Sequence, residues 1–84
     1  MNGSKIGTVT HYYEKIKVAI IDLASDLKVG DNIKFVRGGE DLFEQKVESI
    51  QIEHNNIDAA KAKDVVGLKV DNEVKEGSEV YKIE

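Results

Sequence analysis

KVESIQIEH (residues 46–54) begins as a β-strand and then changes face. Side chains alternate between the two surfaces of a strand, so a half-buried strand keeps its apolar residues on one parity. Val47 is apolar at an odd position, whereas Ile50 and Ile52 are apolar at even ones. A bulge near Val47–Ile50 produces this switch, because one inserted residue turns the following side chains onto the other surface. The alternative is a strand covered on both faces. Bulges and strong coiling are what a small sheet needs in order to close and hide its edges.

The segments around this stretch are also strand-like. KIGTVTHYY (5–13) is enriched in Thr, Val and Tyr, and IKVAIIDL (16–23) is apolar on both parities, as in a central, fully covered strand. NIKFV (32–36) alternates and runs into RGGED, where Gly38-Gly39 is a hairpin signal. The return strand covers about 42–54, and DVVGLKV (64–70) and EVYKI (79–83) follow. Only 57–63 has a helical look, and it is too short for more than a turn. Six strands without a helix predict a small all-β barrel or sandwich.

One turn recurs in similar words. Leu27-Lys28-Val29-Gly30-Asp31-Asn32-Ile33 resembles Val74-Lys75-Glu76-Gly77-Ser78-Glu79-Val80, and Ala60-Lys61-Ala62-Lys63-Asp64-Val65-Val66 is a third version with Lys63 in place of glycine. Each reads as a turn that needs positive φ just before a strand enters. The unequal spacing of the copies excludes a solenoid.

At 84 residues the chain makes one small domain, expected to bury roughly 60–65% of its unfolded surface. A composition of 40% hydrophobic and 33% charged residues is that of an ordinary soluble protein. No apolar run approaches the ~18 residues of a membrane span, so no membrane role is expected. Without cysteine there is no disulfide framework, thiolate metal site or thiol nucleophile. No leader is visible; Asn2-Gly3-Ser4 matches a glycosylation sequon but reads as a disordered start or a cloning remnant. A flexible tail at 1–4, a domain at 5–84 and a cytoplasmic setting are the expectations. Residues 1–39 carry six Lys/Arg against four acids, and 40–84 carry six against twelve. With no basic run, non-specific nucleic-acid binding is disfavoured. A local basic face from Lys5, Lys15, Lys17, Lys28, Lys34 and Arg37 is the most the first half can offer.

Several phrases taken together resemble one family. "IGTV", "LKVGDNI", "VESIQIEH", "AKAKDVVGLKV" and "VKEGSEVYKI", in this order over residues 5–83, are similar to the second domain of translational GTPases such as elongation factor Tu. They also resemble stand-alone elongation-factor-like proteins and the similar barrel at the C-terminal end of collagenase-like peptidases. The resemblance implies a closed six-stranded, Greek-key-like β-barrel of the translation-protein type. It further implies a partner among ribosome, tRNA and translation factors. The departures are specific: Ala60-Lys61-Ala62-Lys63-Asp64 lacks the Pro and Gly of the elongation-factor turn. The family's glycine-rich first hairpin is replaced by HYYEKIKVAIIDLASD. Gln51 stands where factors that hold aminoacyl-tRNA carry a glutamate near the terminal adenosine.

Catalytic chemistry finds little support. DVVG (64–67) matches the Asp-x-x-Gly of GTPase switches, but no phosphate-cradling Gly-x-x-x-x-Gly-Lys-Ser/Thr loop accompanies it. A strand runs through it, and Gly67 reads as a bulge or close-packing glycine. Glu53 and His54 are neighbours on a strand and point to opposite faces, so they do not share a metal ligand. His54 reads as a surface residue at a strand end. No cofactor, metal or catalytic residue is expected. The expected binding surface comprises His11, Tyr12, Tyr13, Lys15, Lys17, Arg37 and Gln51, with at least one of the adjacent tyrosines outside the core. Two functions follow: a non-catalytic, translation-related RNA- or protein-binding adaptor, or a subunit that supplies in trans the barrel domain of a collagenase-like peptidase to a peptidase-like partner.

Overall fold

The structure, a computed structural model, describes residues 4–53 and 55–83. The expected sequon start at 2–3 and the strand-end placement of His54 lie outside the described residues. The strands are β1 (Ser4–Tyr13), β2 (Val18–Leu23), β3 (Leu27–Lys28), β4 (Asn32–Arg37), β5 (Glu40–Lys46), β6 (Ile50–Ile52), β7 (Asn55–Ile57), β8 (Ala59–Ala60), β9 (Val65–Lys69) and β10 (Glu79–Ile83). Eight of them form one sheet in the order β5-β4-β10-β1-β2-β9-β6-β7, and β3 pairs with β8 in a two-stranded ladder.

The fold is therefore all-β, as expected, but the closed six-stranded barrel is not what forms. The sheet is open, with β5 and β7 at its ends. The reason lies in the stretch 46–54. Residues 40–52 run as two strands: β5 pairs with β4, and β6 pairs with β9. Between them Val47, Glu48 and Ser49 leave the ladder. The backbone groups of Val47 are satisfied elsewhere: its N–H donates to the Asp31 carbonyl at 2.8 Å, and its carbonyl accepts from the Gly30 N–H at 2.9 Å. Val47 and Ile50 both enter the core cluster. The change of face read in the sequence is thus present, made by three unpaired residues rather than by one residue inserted in a continuous ladder.

A side chain spans part of the opening. Gln45, near the end of β5, donates from Nε2 to the Lys69 carbonyl at 3.0 Å and accepts the Asp71 N–H on Oε1 at 2.9 Å. At the other edge β6 turns into β7, with Ile50 opposite Ile57.

A second change of face occurs in β1. Its register on β2 shifts between Val9 and His11, so Thr10 is the extra residue. Val9 points into the core, Tyr12 packs against that core two positions past the bulge, and Tyr13 is 49% exposed. Phe35, Ile21, Ile33, Ile50 and Val80 have no measurable exposure. Burial of each such side chain stabilises the fold by roughly 1.5–3 kcal/mol. The Phe35 and Phe43 rings pack at 4.8 Å between centroids.

The three similar turns are one structure used three times. Asp31 N–H donates to Lys28 carbonyl, Asp64 to Lys61 and Ser78 to Lys75, at 3.1, 3.0 and 3.1 Å. The residue before each donor holds positive φ: Gly30 at 100°, Lys63 at 78° and Gly77 at 88°. Each turn then clamps one buried apolar residue on another segment. Its positive-φ residue donates to that residue's carbonyl, and the next carbonyl accepts that residue's N–H. Val47 is held this way by Gly30 and Asp31, Leu23 by Lys63 and Asp64, and Val9 by Gly77 and Ser78, with all six bonds between 2.8 and 2.9 Å.

Candidate functional site

Strand β2 was expected to be fully covered. Its inner face is: Ala19, Ile21 and Leu23 are buried. Its outer face carries Val18 and Ile20, which are only half-buried. The neighbouring strand explains why an apolar depression opens there. Gly67 of β9 lies opposite Ile20 of β2 on one side and Gln51 of β6 on the other. With no side chain of its own, Gly67 forms a floor. A Cβ at this position would stand 3.2 Å from Val18 Cγ1 and 3.5 Å from Ile20 Cδ1, so both side chains lean over the glycine. The expected close-packing role of Gly67 is what the structure shows.

Around this floor runs a groove of about 770 Å³ whose apolar walls are Tyr13, Ile16, Val18, Ile20, Ile52 and Val65. Ile16 is 61% and Val65 53% exposed. Single exposed apolar side chains are ordinary; here several of them lie side by side around one depression. The polar lining includes Gln51, Glu53, Lys63 and Asp64. A smaller depression adjoins it beneath Ile16, Ser49 and Lys69. The Gln51 amide donates to Asn56 Oδ1 at 3.0 Å, which fixes its orientation across β6 and β7.

The expected surface residues divide between three places. Tyr13 and Gln51 line the groove, and Lys15 and Lys17 occupy the β1–β2 turn at its end. His11 is near them: its ring meets Tyr13 edge-on at 4.4 Å, and its Nδ1 is 2.8 Å from Glu76 Oε2. Tyr12 is packed against the core, where burial, followed by the charges of Glu73 and Glu14, pushes its phenol above the ordinary value. Arg37 lies apart, at the β4–β5 hairpin beside Glu40, Leu42, Glu73 and Lys75. Two lysines of the first half are held by acids: Lys5 pairs with Glu79 at 3.2 Å and Lys34 with Asp41 at 3.5 Å. Among the described residues, no three His, Asp or Glu side chains gather as metal ligands would. The residues missed from sequence are the aliphatic ones, Ile16, Val18, Ile20 and Val65. Two apolar parities in IKVAIIDL, followed by a strand with glycine at its centre, were the signal available.

Comparison with solved structures decides the fold. The C-terminal domain of a Geobacillus thermoleovorans protein described as a U32 peptidase superposes with a TM-score of 0.88 at 24% identity, covering 96% of this chain and 93% of that one. Its selenomethionine variant gives a TM-score of 0.87 at 25% identity, with 94% and 99% covered. This chain has the fold of a U32 peptidase C-terminal domain. In sequence, it is 40% identical over 77 residues to an uncharacterised protease of Methanocaldococcus jannaschii, a match over 92% of this chain. The chain spans 19% of the length of that relative. No protein-family model matches it.

The U32 likeness corrects the elongation-factor resemblance and, with it, the description of the chain as a translation-factor-type closed barrel. Three of the five phrases that carried that resemblance, LKVGDNI, AKAKDVVGLKV and VKEGSEVYKI, contain the three clamp turns. They record a backbone requirement, positive φ followed by a strand, which any sequence with this turn must meet. Ribosome, tRNA and translation factors lose their basis as partners.

Proposed function

We propose that this chain is a non-catalytic docking module for a peptidase-like partner, supplying in trans the domain that U32 proteins carry at their C-terminal end. The observation that supports this reading is the superposition on a U32 peptidase C-terminal domain, together with 40% identity over 77 residues to a protease. The exposed aliphatic face of β2 and β9 is consistent with a surface that another protein covers. The expected cytoplasmic setting belongs to the same proposal.

The test is affinity capture of the tagged protein from lysate of its own cells, with half of the lysate treated with ribonuclease. The expected result is a U32 peptidase-like protein, identified by mass spectrometry and retained after nuclease. Capture of ribosomal proteins or tRNA that disappear with nuclease would overturn the proposal.

A further inference from the structure

The groove over Gly67 constrains what can fill it. Strand β9 is hydrogen-bonded to β2 on one side and to β6 on the other. Around Gly67, therefore, the ladder offers no free edge to an added strand, and recognition runs through side chains. Those side chains are aliphatic along the walls, with a primary amide at Gln51.

The charges are unequal along its length. At the far end Lys63 stands with Glu53 and Asp64, and the Asp64 carboxylate is engaged with the Lys61 N–H at 2.9 Å. At the hairpin end Lys69 lines the adjoining depression, and Lys15 and Lys17 flank Ile16 in the turn; the acids there are Glu14 in the turn and Glu76, which is held by His11 at 2.8 Å. None of these three lysines is ion-paired among the described residues, whereas Lys5, Lys34 and Lys82 hold carboxylates at 3.2, 3.5 and 3.2 Å. Burying that end under a partner desolvates the lysines, at a cost that carboxylates on the partner offset. A second copy of this chain would bring its own lysines to the same rim. Among the described residues, the non-glycine positions with positive φ are Lys17 at the hairpin end and Glu53 and Lys63 at the far end, at 55°, 51° and 78°. Each such conformation costs on the order of 1 kcal/mol, and such strain concentrates at binding surfaces.

The geometry points to an aliphatic segment of the peptidase-like partner, with carboxylates flanking its apolar side chains, as the occupant of this groove, its acidic end against Lys17 and Lys69. This rests on the docking reading above and names the chemistry of what is docked.

The test titrates the whole isotope-labelled protein with a short peptide alternating leucine and glutamate, beside leucine–lysine and serine–glutamate peptides. The leucine–glutamate peptide alone is expected to move the amide resonances of Ile20, Val65 and Gly67. Lys17→Glu combined with Lys69→Glu is expected to weaken it about tenfold, a step of ~1.4 kcal/mol. Both positions are exposed, and the dispersion of the spectrum verifies the fold. Val65→Asp, which keeps the lysines and removes part of the wall, is expected to abolish the shifts. Equal binding of the leucine–lysine peptide, shifts confined to another face, no shift with any peptide, or self-association through this face would each overturn the inference. A peptidase-like protein captured from lysate while the groove stays silent overturns the groove assignment alone. Groove binding without such a capture overturns the choice of partner.

Discussion

The backbone N–H of Lys63 donates to the carbonyl of Leu23 at 2.8 Å while Lys63 holds φ at 78°. Glycine occupies the same position in the two sister turns, at Gly30 and Gly77. A side chain in this conformation costs about 1 kcal/mol relative to glycine. Lys63→Gly is expected to raise the free energy of unfolding by about that much, read as a higher urea midpoint. Gly30→Ala is expected to lower it similarly, since nothing lies within 4 Å of the added Cβ and the cost is purely conformational. A lower midpoint for Lys63→Gly would mean that the lysine side chain itself supports the turn.

Gln45 binds the backbone at the end of β9 and just beyond it with both ends of its amide. Gln45→Leu leaves the Lys69 carbonyl and the Asp71 N–H to solvent, at a cost of about 1 kcal/mol. Hydrogen exchange at Asp71 should quicken in that variant. Gln45→Glu places a carboxylate oxygen against the Lys69 carbonyl, so at neutral pH it should be no more stable than the leucine variant. It should recover as pH falls towards about 4, where the protonated carboxyl can donate again. Unchanged Asp71 exchange in Gln45→Leu would show that the bridge contributes nothing.

Equivalent turn positions give opposite outcomes at Asp31 and Ser78. The Asp31 carboxylate accepts the Lys28 N–H at 3.0 Å and lies 3.2 Å from Lys82 Nζ. Asp31→Ala removes both contacts and is expected to cost about 1–2 kcal/mol. Ser78 is fully buried and its hydroxyl has no partner among the described residues. Removing an unsatisfied hydroxyl relieves a desolvation penalty, so Ser78→Ala is expected to be neutral or stabilising by up to about 1 kcal/mol. Thermal melts of the two variants check the contrast.

Alkaline stability reads out Tyr12. Burial, and then Glu73 and Glu14, raise its phenol pKa above the ordinary 10.0 in the folded state. Above pH 10 the unfolded chain therefore loses the Tyr12 proton first, the folded state binds more protons, and stability falls as pH climbs. Tyr12→Phe should flatten this part of the decline. An identical slope in wild type and variant would place the alkaline loss elsewhere.

Much of this fold was written locally. The parity change at Val47 and Ile50, the Gly38-Gly39 hairpin with φ of 60° and 81°, and the positive φ at Lys63 all follow from rules that span a few residues. The open sheet did not, because whether residues 47–49 stay in a ladder depends on Asp31 and Gly30, far away in sequence. That the two adjacent tyrosines part was legible from strand alternation; which of them faces the core was not, since the inserted Thr10 that sets their faces is defined only by the partner strand. The groove was least legible. Val18 and Ile20 look like core residues in sequence, and what leaves their face open is that no strand or loop among the described residues is laid over it.

The pairing of Ser4 with Lys82 places the first and last strands side by side, running in opposite directions. Polypeptide leading into β1 and polypeptide leaving β10 therefore part from one spot. A unit built like this can be spliced into a surface loop of a host enzyme with little disturbance of either, or be cut open at the Gly38-Gly39 turn and rejoined at its ends.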